Sequence, residues 1–281
     1  MLQRTTGNCS RAFGALAVLG AALMLFRVGA ADAALTGAST TTAGTTSSGA
    51  CNTDGCVSFS SGFTTNTTTT FTARYAWNVN SDTGVGSTVD HSSSAQHNVT
   101  FNATATGGYR LNITATRVGD MNIVNDLSGC SGSADISGLT GASNIALTSG
   151  SLSLADPGSI GATGTTQSSP FNQSASAVID RFSNGVAQAH TLTFTWSGSA
   201  RSNSCEGAVR VGEGGGAVTG CTACVYPGSP SRTQSSDGQF VTVSFTDLCG
   251  NGTVEATGGE QCDDGANNGT TGSCCNANCT F

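Results

Sequence analysis

The chain has no lysine and few charged or aromatic side chains. Its 281 residues include 10 basic residues, all arginine, 17 acidic residues and 6% aromatics. A nucleic-acid binder needs cations to neutralise phosphates, and P-loop and Schiff-base enzymes need a lysine. Coiled coils and large helical domains need Ala, Glu, Lys and Leu in quantity. These classes are excluded, so nucleic acid is not an expected partner.

Hydroxyl side chains, glycine and cysteine are abundant instead. The chain holds 41 Thr, 36 Ser, 39 Gly and 12 Cys. The hydrophobic fraction of 37% is enough to build a core, so the composition does not indicate disorder. A Ser/Thr/Gly-rich chain of this kind is typical of all-β proteins found outside cells.

Residues 1–33 have the pattern of a secretory signal peptide. Arg4 and Arg11 supply the positive charge, residues 12–26 are apolar, and an A-x-A site ends at Ala33. The apolar run is shorter than the roughly 20 residues that a membrane helix needs. We therefore expect cleavage before Ala34, no membrane span afterwards, and a secreted or cell-surface protein.

The cysteine count indicates a protein held by disulfides. Cleavage removes Cys9 and leaves eleven cysteines, most of which should pair in an oxidising compartment. The candidate disulfide cysteines are Cys51, Cys56, Cys130, Cys205, Cys221, Cys224, Cys249, Cys262, Cys274, Cys275 and Cys279. A local Cys51–Cys56 bond and a Cys130–Cys205 bond across the domain are plausible pairings. Cys221 and Cys224 form a C-x-x-C outside any helical pattern, which favours a structural disulfide over redox or zinc chemistry.

Residues 34–50 are a low-complexity Ser/Thr/Gly/Ala segment. No apolar face can be drawn on this sequence, so it is predicted to be a flexible linker.

Residues 51–247 are predicted to form an antiparallel β-sandwich. Apolar residues alternate with polar ones through 70–79, 191–197 and 239–246, and turn-rich segments separate these runs. No helix-length periodic stretch intervenes, and the repeat of the rival parallel β-helix is not visible. The predicted core consists of Phe71, Tyr75, Trp77, Phe101, Leu111, Ile113, Phe194 and Trp196.

A hairpin is predicted around Gly107-Gly108. A three-residue loop over 106–108 sets Ala105 opposite Tyr109 and aligns the apolar faces of the flanking runs. We expect a bulge-type loop with glycine at a positive-φ position.

The segment 248–281, called the C-terminal module below, holds five cysteines and almost no aliphatic side chains. It therefore needs disulfides, a metal ion or both to hold it. Its motifs are Cys249-Gly250-Asn251, Glu260, Cys262-Asp263 and the run from Cys274 to Cys279. This pattern resembles the myxobacterial-type cysteine-rich repeat and the shoulder of adamalysin-type disintegrin domains.

The resemblance to the disintegrin shoulder implies a structural calcium ion. It places the ligands at Asn251, Glu255, Glu260 and Asp263. Amide and carboxylate oxygens are the hard ligands that Ca²⁺ takes. The stretch from Glu255 to Glu260 is two residues longer than the family's spacing, and the alternative is that these carboxylates are solvated turn residues in a disulfide knot. The chain ends two residues after Cys279, so we also expect one cysteine of 249–279 to lack an intramolecular partner.

Enzyme and sugar-binding signals are weak. The three histidines, His91, His97 and His190, lie in no G-x-S-x-G or H-E-x-x-H motif. Four aromatic residues could stack on a sugar ring, but they fall on the apolar faces of predicted strands, which favours core packing: Tyr75, Trp77, Tyr109 and Trp196.

The function that we expect is non-enzymatic: structural or adhesive contact with extracellular protein or polysaccharide surfaces. The alternatives are a carbohydrate-binding module of an exported system and an exported hydrolase. An exposed pair of aromatics on one sheet face would favour the first, and a histidine in a cleft beside a serine or carboxylate would favour the second.

Overall fold

The computed structural model describes residues 33–46, 55–83, 88–125, 131–143, 147–154, 158–163, 167–203, 207–213 and 238–281. Twelve strands lie in these ranges. They are β1 (Ala34–Thr46), β2 (Gly55–Asn66), β3 (Thr70–Thr83), β4 (Thr88–Thr104), β5 (Gly108–Asn125), β6 (Ser131–Ser143), β7 (Ser149–Gly150), β8 (Gly158–Thr163), β9 (Gln167–Phe182), β10 (Gln188–Asn203), β11 (Gly207–Glu213) and β12 (Gly238–Asp247). The described residues contain two 3-10 turns, Ala256–Gly258 and Gly265–Asn267, and no α-helix.

The strands form two antiparallel sheets, as the alternating pattern predicted. One sheet has the order β1-β4-β10-β6-β8. In the seven-stranded sheet, β3 lies beside β2 on one side, and β9 lies between β5 and the short β7. Strands β12 and β11 both pair with β3 and β5, and each occupies one end of the slot between them. Among the described residues, no helix is long and apolar enough to cross a membrane.

The core lies between the sheets and contains the predicted side chains. Phe71, Tyr75, Phe101, Leu111, Ile113 and Phe194 are at most 2% exposed. Phe71 and Phe101 come from opposite sheets, and their rings meet edge to face at 5.0 Å. This contact joins the two layers. The side chains of Trp77 and Trp196 lie outside the described residues.

The prediction of a flexible linker over 34–50 is wrong for residues 34–46. They form β1, which pairs along β4 from Ala34 opposite Thr104 to Thr46 opposite Ser93. Leu35 is buried, while Thr36, Ser39 and Thr41 are exposed. An edge strand can be held by backbone pairing with its neighbour even where it has no continuous apolar face, and threonine is favoured in strands. A composition without an apolar face was therefore compatible with a strand. Residues 47–50 lie outside the described residues.

The predicted hairpin is also wrong. Strand β4 belongs to the five-stranded sheet and β5 to the seven-stranded sheet, so the chain crosses between sheets at 105–107. Neither Gly107 nor Gly108 has a positive φ. Apolar faces that point the same way are expected for two strands that pair side by side. Two strands that face each other across a core show the same pattern. The alternation of side chains therefore did not distinguish the two arrangements.

Candidate functional site

The C-terminal module is a compact knot held by disulfides. Cys249 pairs with Cys279, and Cys262 pairs with Cys275. Cys274 is disulfide-bonded as well. The expectation of an unpartnered cysteine within 249–279 is therefore wrong. Since the other four cysteines of the module pair with one another, the partner of Cys274 lies outside the module.

The other disulfide candidates lie beyond what the structure describes. Cys51, Cys130, Cys205, Cys221 and Cys224 fall outside the described residues. Cys56 is the second residue of β2, and its side chain is not among those described. Their pairings stay predictions.

The module packs directly on the end of the sandwich where the chain crosses between sheets. A Cβ added at Gly107 would lie 2.6 Å from the Cβ of Cys249, and one at Gly108 would lie 3.0 Å from the Cγ of Glu260. The backbone N–H of Leu248 donates to the carbonyl of Gly108 at 2.9 Å. The two glycines are thus needed for the close approach of the module, not for a turn conformation.

A buried carboxylate ties the module to the seven-stranded sheet. Asp180 on β9 is 1% exposed and accepts two hydrogen bonds from Arg110 on β5. The hydroxyl of Thr257 in the module donates to the same carboxylate at 2.8 Å. The hydrogen bond from Arg110, reinforced by that from Thr257 and by positive charge, lowers the pKa of Asp180. A second polar contact joins Asn278 to Asn184 in the β9–β10 turn at 2.9 Å.

The structure brings three of the four predicted calcium ligands together. The side-chain amide of Asn251 donates to Glu255 Oε1 at 3.1 Å, and the backbone N–H of Glu255 donates to Glu260 Oε2 at 2.8 Å. Glu255 Oε2 and Glu260 Oε1 are buried and have no hydrogen-bond partner. Burial and the nearby Glu255 carboxylate raise the pKa of Glu260 to about 7. This carboxylate pair is the part of the module that has unused buried oxygens.

The fourth predicted ligand, Asp263, is engaged in shaping the loop. Its Oδ2 accepts hydrogen bonds from the backbone N–H groups of Gly250 and Gly252, at 3.1 and 2.9 Å. Its Oδ1 accepts from the Gly265 N–H and the Asn268 amide, both at 2.8 Å. Both oxygens therefore already have two donors each. A direct role of Asp263 as a ligand stays a prediction, with less support from the geometry than the roles of Glu255 and Glu260.

A second group of metal-ligating residue types lies at the same junction. The side chains of Cys249, Glu260 and Cys279 come within 4.8 Å of one another. The two cysteines form a disulfide, so they have no thiolate to offer a metal. This group is structural.

The described histidines belong to the core of the sandwich. His97 is 0% exposed and lies against the ring of Tyr75, with ring centroids 3.9 Å apart. His190 Nε2 lies 3.0 Å from the Tyr109 hydroxyl. Burial lowers the pKa of His97 to about 3 and, together with the charge of Arg181, that of His190 to about 4. Both rings are held neutral and are inaccessible from solvent. The side chain of His91 lies outside the described residues.

The tyrosines weighed as sugar platforms are also internal. Tyr75 and Tyr109 are fully buried. These two residues pack in the core, as their alternation indicated, and present no exposed ring to a sugar. The side chains of Trp77 and Trp196 lie outside the described residues, so their role stays a prediction.

The outer face of β1, β4 and β10 presents hydroxyl and amide groups at its described positions. Ser39 Oγ lies 2.6 Å from Thr100 Oγ1 in the neighbouring strand, and the Thr193 hydroxyl donates to Asn98 at 2.9 Å. The described outward side chains of this array, which we call the polar face, are Thr36, Ser39, Thr41, Gln96, Asn98, Thr100, Asn102, Thr191, Thr193 and Thr195. None carries a charge. Sequence alternation indicated a polar side for β4 and β10, but it did not predict β1 as a strand or show that the three strands share one outer surface.

No protein-family model matches the chain, and a search of the curated proteins gives no match.

Proposed function

We propose that this protein is exported and serves structural or adhesive contacts outside the cell, without catalysis. The polar face carries the proposal. Its described side chains offer hydrogen-bond donors and acceptors on three adjacent strands and none of them is charged, in a chain whose formal net charge is −7. Such a face suits neutral, hydroxyl-rich partners, because no charge has to be desolvated or paired on contact. The disulfide-held module supports an extracellular setting.

Retention on insoluble polysaccharides tests the adhesive role. Wild-type protein is expected to be retained by insoluble β-glucan or chitin, and Thr100→Asp is expected to reduce retention at least tenfold. Thr114→Asp is the matched control, because Thr114 is an exposed hydroxyl on the outer face of the other sheet. Equal retention of both variants, or no retention of the wild type on either polymer, would contradict the role of the polar face. Release of soluble sugars from either polymer would instead support the hydrolase alternative.

A structural calcium ion in the module is the second part of the proposal. The unused buried oxygens of Glu255 and Glu260 suit a hard cation, and Asn251 orients Glu255. A bound Ca²⁺ ion would supply the positive charge that two adjacent carboxylates lack, and so allow Glu260 to ionise in its buried position. Glu255 and Glu260 thus place two carboxylates at the interface between the module and the sandwich.

Calcium-dependent stability of the full chain tests this site. With a dissociation constant of roughly 10⁻⁴–10⁻³ M, 10 mM calcium stabilises the folded state by about 1.4–2.7 kcal/mol. The Glu260→Gln variant is expected to lose this gain. Asp264→Asn is the charge-matched control, since Asp264 is exposed and accepts a hydrogen bond from Ser273. If calcium fails to stabilise the wild type in calorimetry, the module is a plain disulfide knot.

A further inference from the structure

Strand β1 can leave the sandwich without disturbing the order of the other strands. It is the first described strand and lies at the edge of the five-stranded sheet, and among the described strands it pairs with β4 alone. Every other described strand follows it in sequence, so its departure requires no threading of the chain. An edge strand of this kind is the usual element in strand exchange between copies.

Few of the side chains described in β1, residues 34–41, are buried apolar groups. Leu35 is buried, Ala38 is partly buried against the core, and the Thr40 hydroxyl is buried as well. A bulge interrupts the register between Thr36 and Ser39, where Gly37 has a φ of +61°. Beyond the bulge, pairing runs from Ser39 opposite Thr100 to Thr46 opposite Ser93. Among the side chains described in β1, Leu35 is therefore the main apolar anchor, and backbone pairing with β4 runs along the strand.

The position beside β4 that β1 occupies, called the β4 slot below, makes contacts that depend on the side chains of β1. Leu35 lies opposite Ala103, and its backbone N–H donates to the carbonyl of Thr68. Ser39 meets the Thr100 hydroxyl at 2.6 Å. A vacated β4 slot would expose the backbone groups of β4 and part of the core, which favours recapture of a strand with the same pattern of side chains.

We propose that residues 34–46 are a donatable strand, so that β1 of one copy pairs with β4 of a neighbouring copy. The β1–β4 pairing in the structure identifies the exchanged strand as β1 of a second copy. In the exchanged form, β1 makes the same hydrogen bonds to β4 of the neighbouring copy that it makes to β4 of its own chain. Residues 34–46 contain no charged residue and no proline, so nothing in the strand opposes pairing with another copy. The inference rests on the proposed structural function and gives it a mechanism: the protein links to further copies of itself.

Isotope-mixed cross-linking of the full secreted chain tests the proposal. A photo-reactive residue is placed at Thr41, whose partner in β4 is Asn98, and light and ¹⁵N-labelled copies are mixed at high concentration. Cross-links between β1 and β4 are then sorted by mass. Complete exchange gives about half of these cross-links as light–heavy pairs, together with oligomers in light scattering. Cross-links found only within light or only within heavy chains would overturn the proposal.

Two variants separate strand exchange from general damage to the fold. Leu35→Asp places a charge in the buried anchor position and is expected to reduce light–heavy cross-links at least tenfold. Thr114→Asp adds the same charge at an exposed position of the other sheet, outside β1 and β4, and is expected to leave them unchanged. Equal light–heavy cross-linking in both variants would contradict the proposal.

A peptide experiment on the wild type avoids any risk that a variant misfolds. An excess of the peptide ALTGASTTTAGTT is expected to occupy vacated β4 slots and to reduce light–heavy cross-linking, whereas the same peptide with Asp in place of Leu is not. Equal effects of the two peptides would overturn the proposal. Retention on polysaccharide is measured on the same preparations. Retention without light–heavy cross-links would leave the proposed adhesive function in place while the strand-exchange proposal fails.

Discussion

Arg110 and Asp180 form a two-point ion pair at the end of the sandwich, with Nε–Oδ1 and Nη2–Oδ2 distances of 2.8 and 2.9 Å. The side chain of Asp180 is 1% exposed, whereas that of Arg110 is 36% exposed. The pair is therefore asymmetric: the carboxylate depends on its partner for solvation, and the guanidinium keeps access to water. Because Thr257 donates to the same carboxylate, the pair also fixes the position of the C-terminal module.

This asymmetry predicts different costs for removing the two partners. Arg110→Met leaves the buried Asp180 carboxylate without its charge partner and is expected to cost about 3 kcal/mol, the low end of the range for broken buried pairs because Arg110 is partly screened. Asp180→Asn removes the buried charge itself and is expected to cost less, about 1–2 kcal/mol. Guanidinium denaturation of both variants measures the difference. A larger loss for Asp180→Asn would contradict the argument.

The close approach at Gly107 predicts a steric effect. Alanine there would place its Cβ 2.6 Å from the Cβ of Cys249 and 2.9 Å from the carbonyl oxygen of Asn278. Gly107→Ala is expected to displace the module and to cost about 1–3 kcal/mol. Gly62→Ala is the control, because no atom lies within 4 Å of the added Cβ and φ is not positive. Thermal unfolding measures the stability of the two variants. Equal stabilities would show that the module can shift to accommodate the added methyl group without loss of free energy.

The four hydrogen bonds to Asp263 predict a local effect within the module. Asp263→Ala removes the acceptor shared by Gly250, Gly252, Gly265 and Asn268. Hydrogen bonds to a charged group contribute about 1.5–3 kcal/mol, so exchange of the backbone amides of Gly250, Gly252 and Gly265 should accelerate by roughly 10- to 100-fold. Hydrogen exchange measured by mass spectrometry on 249–268 reports the change. Unaltered exchange of these amides would show that other contacts hold the loop.

The same carboxylate makes the loop sensitive to acid. Partial burial raises the pKa of Asp263, but the hydrogen bonds from Asn268 and the glycine N–H groups outweigh this effect, and the pKa is lowered. Its contribution to stability is thus complete above the ordinary aspartate pKa, near 3.9, and is lost as the pH falls through the lower folded value. The Asp263→Ala variant should lack this component of acid sensitivity.

The buried histidines predict a loss of stability at a higher pH. Their pKa values in the folded protein are about 3 for His97 and about 4 for His190, below the unfolded value near 6.5. Below pH 6.5 the unfolded chain therefore binds protons that the folded chain does not, so stability falls as the pH drops towards 4. Each histidine contributes up to about 1.4 kcal/mol per pH unit in this window.

A variant isolates the contribution of one histidine. His97→Phe keeps an aromatic ring against Tyr75 and removes the ionisable group. The slope of unfolding free energy against pH between 6 and 4.5 should fall by about 1.4 kcal/mol per pH unit in this variant. Denaturant titrations at three pH values measure the slope, and an unchanged slope would mean that His97 is protonated in the folded protein.

The alternation of side chains predicted much of the fold and little of the site. Phe71, Leu111 and Phe194 could be placed in the core from sequence, because a strand with one buried face shows a period of two. No local sequence pattern indicated the ion pair of Arg110 with Asp180. The two residues are 70 positions apart in sequence, and they meet only because β5 and β9 pair in one register.

The sequence by itself determined the all-β class, the place of core side chains such as Phe71 and Phe194, and the cysteine-rich character of the last 34 residues, since composition and local period express these properties directly. The tertiary structure decided which strands pair and which face each other. It placed β4 and β5 in different sheets, ordered residues 34–46 as an edge strand, and used Gly107 and Gly108 to admit the C-terminal module. It also divided the predicted calcium ligands, leaving unused oxygens on Glu255 and Glu260 and engaging both oxygens of Asp263. The physical reason is that pairing, close approach and hydrogen-bond competition depend on distances between residues far apart in the chain, and a local pattern contains no such distances.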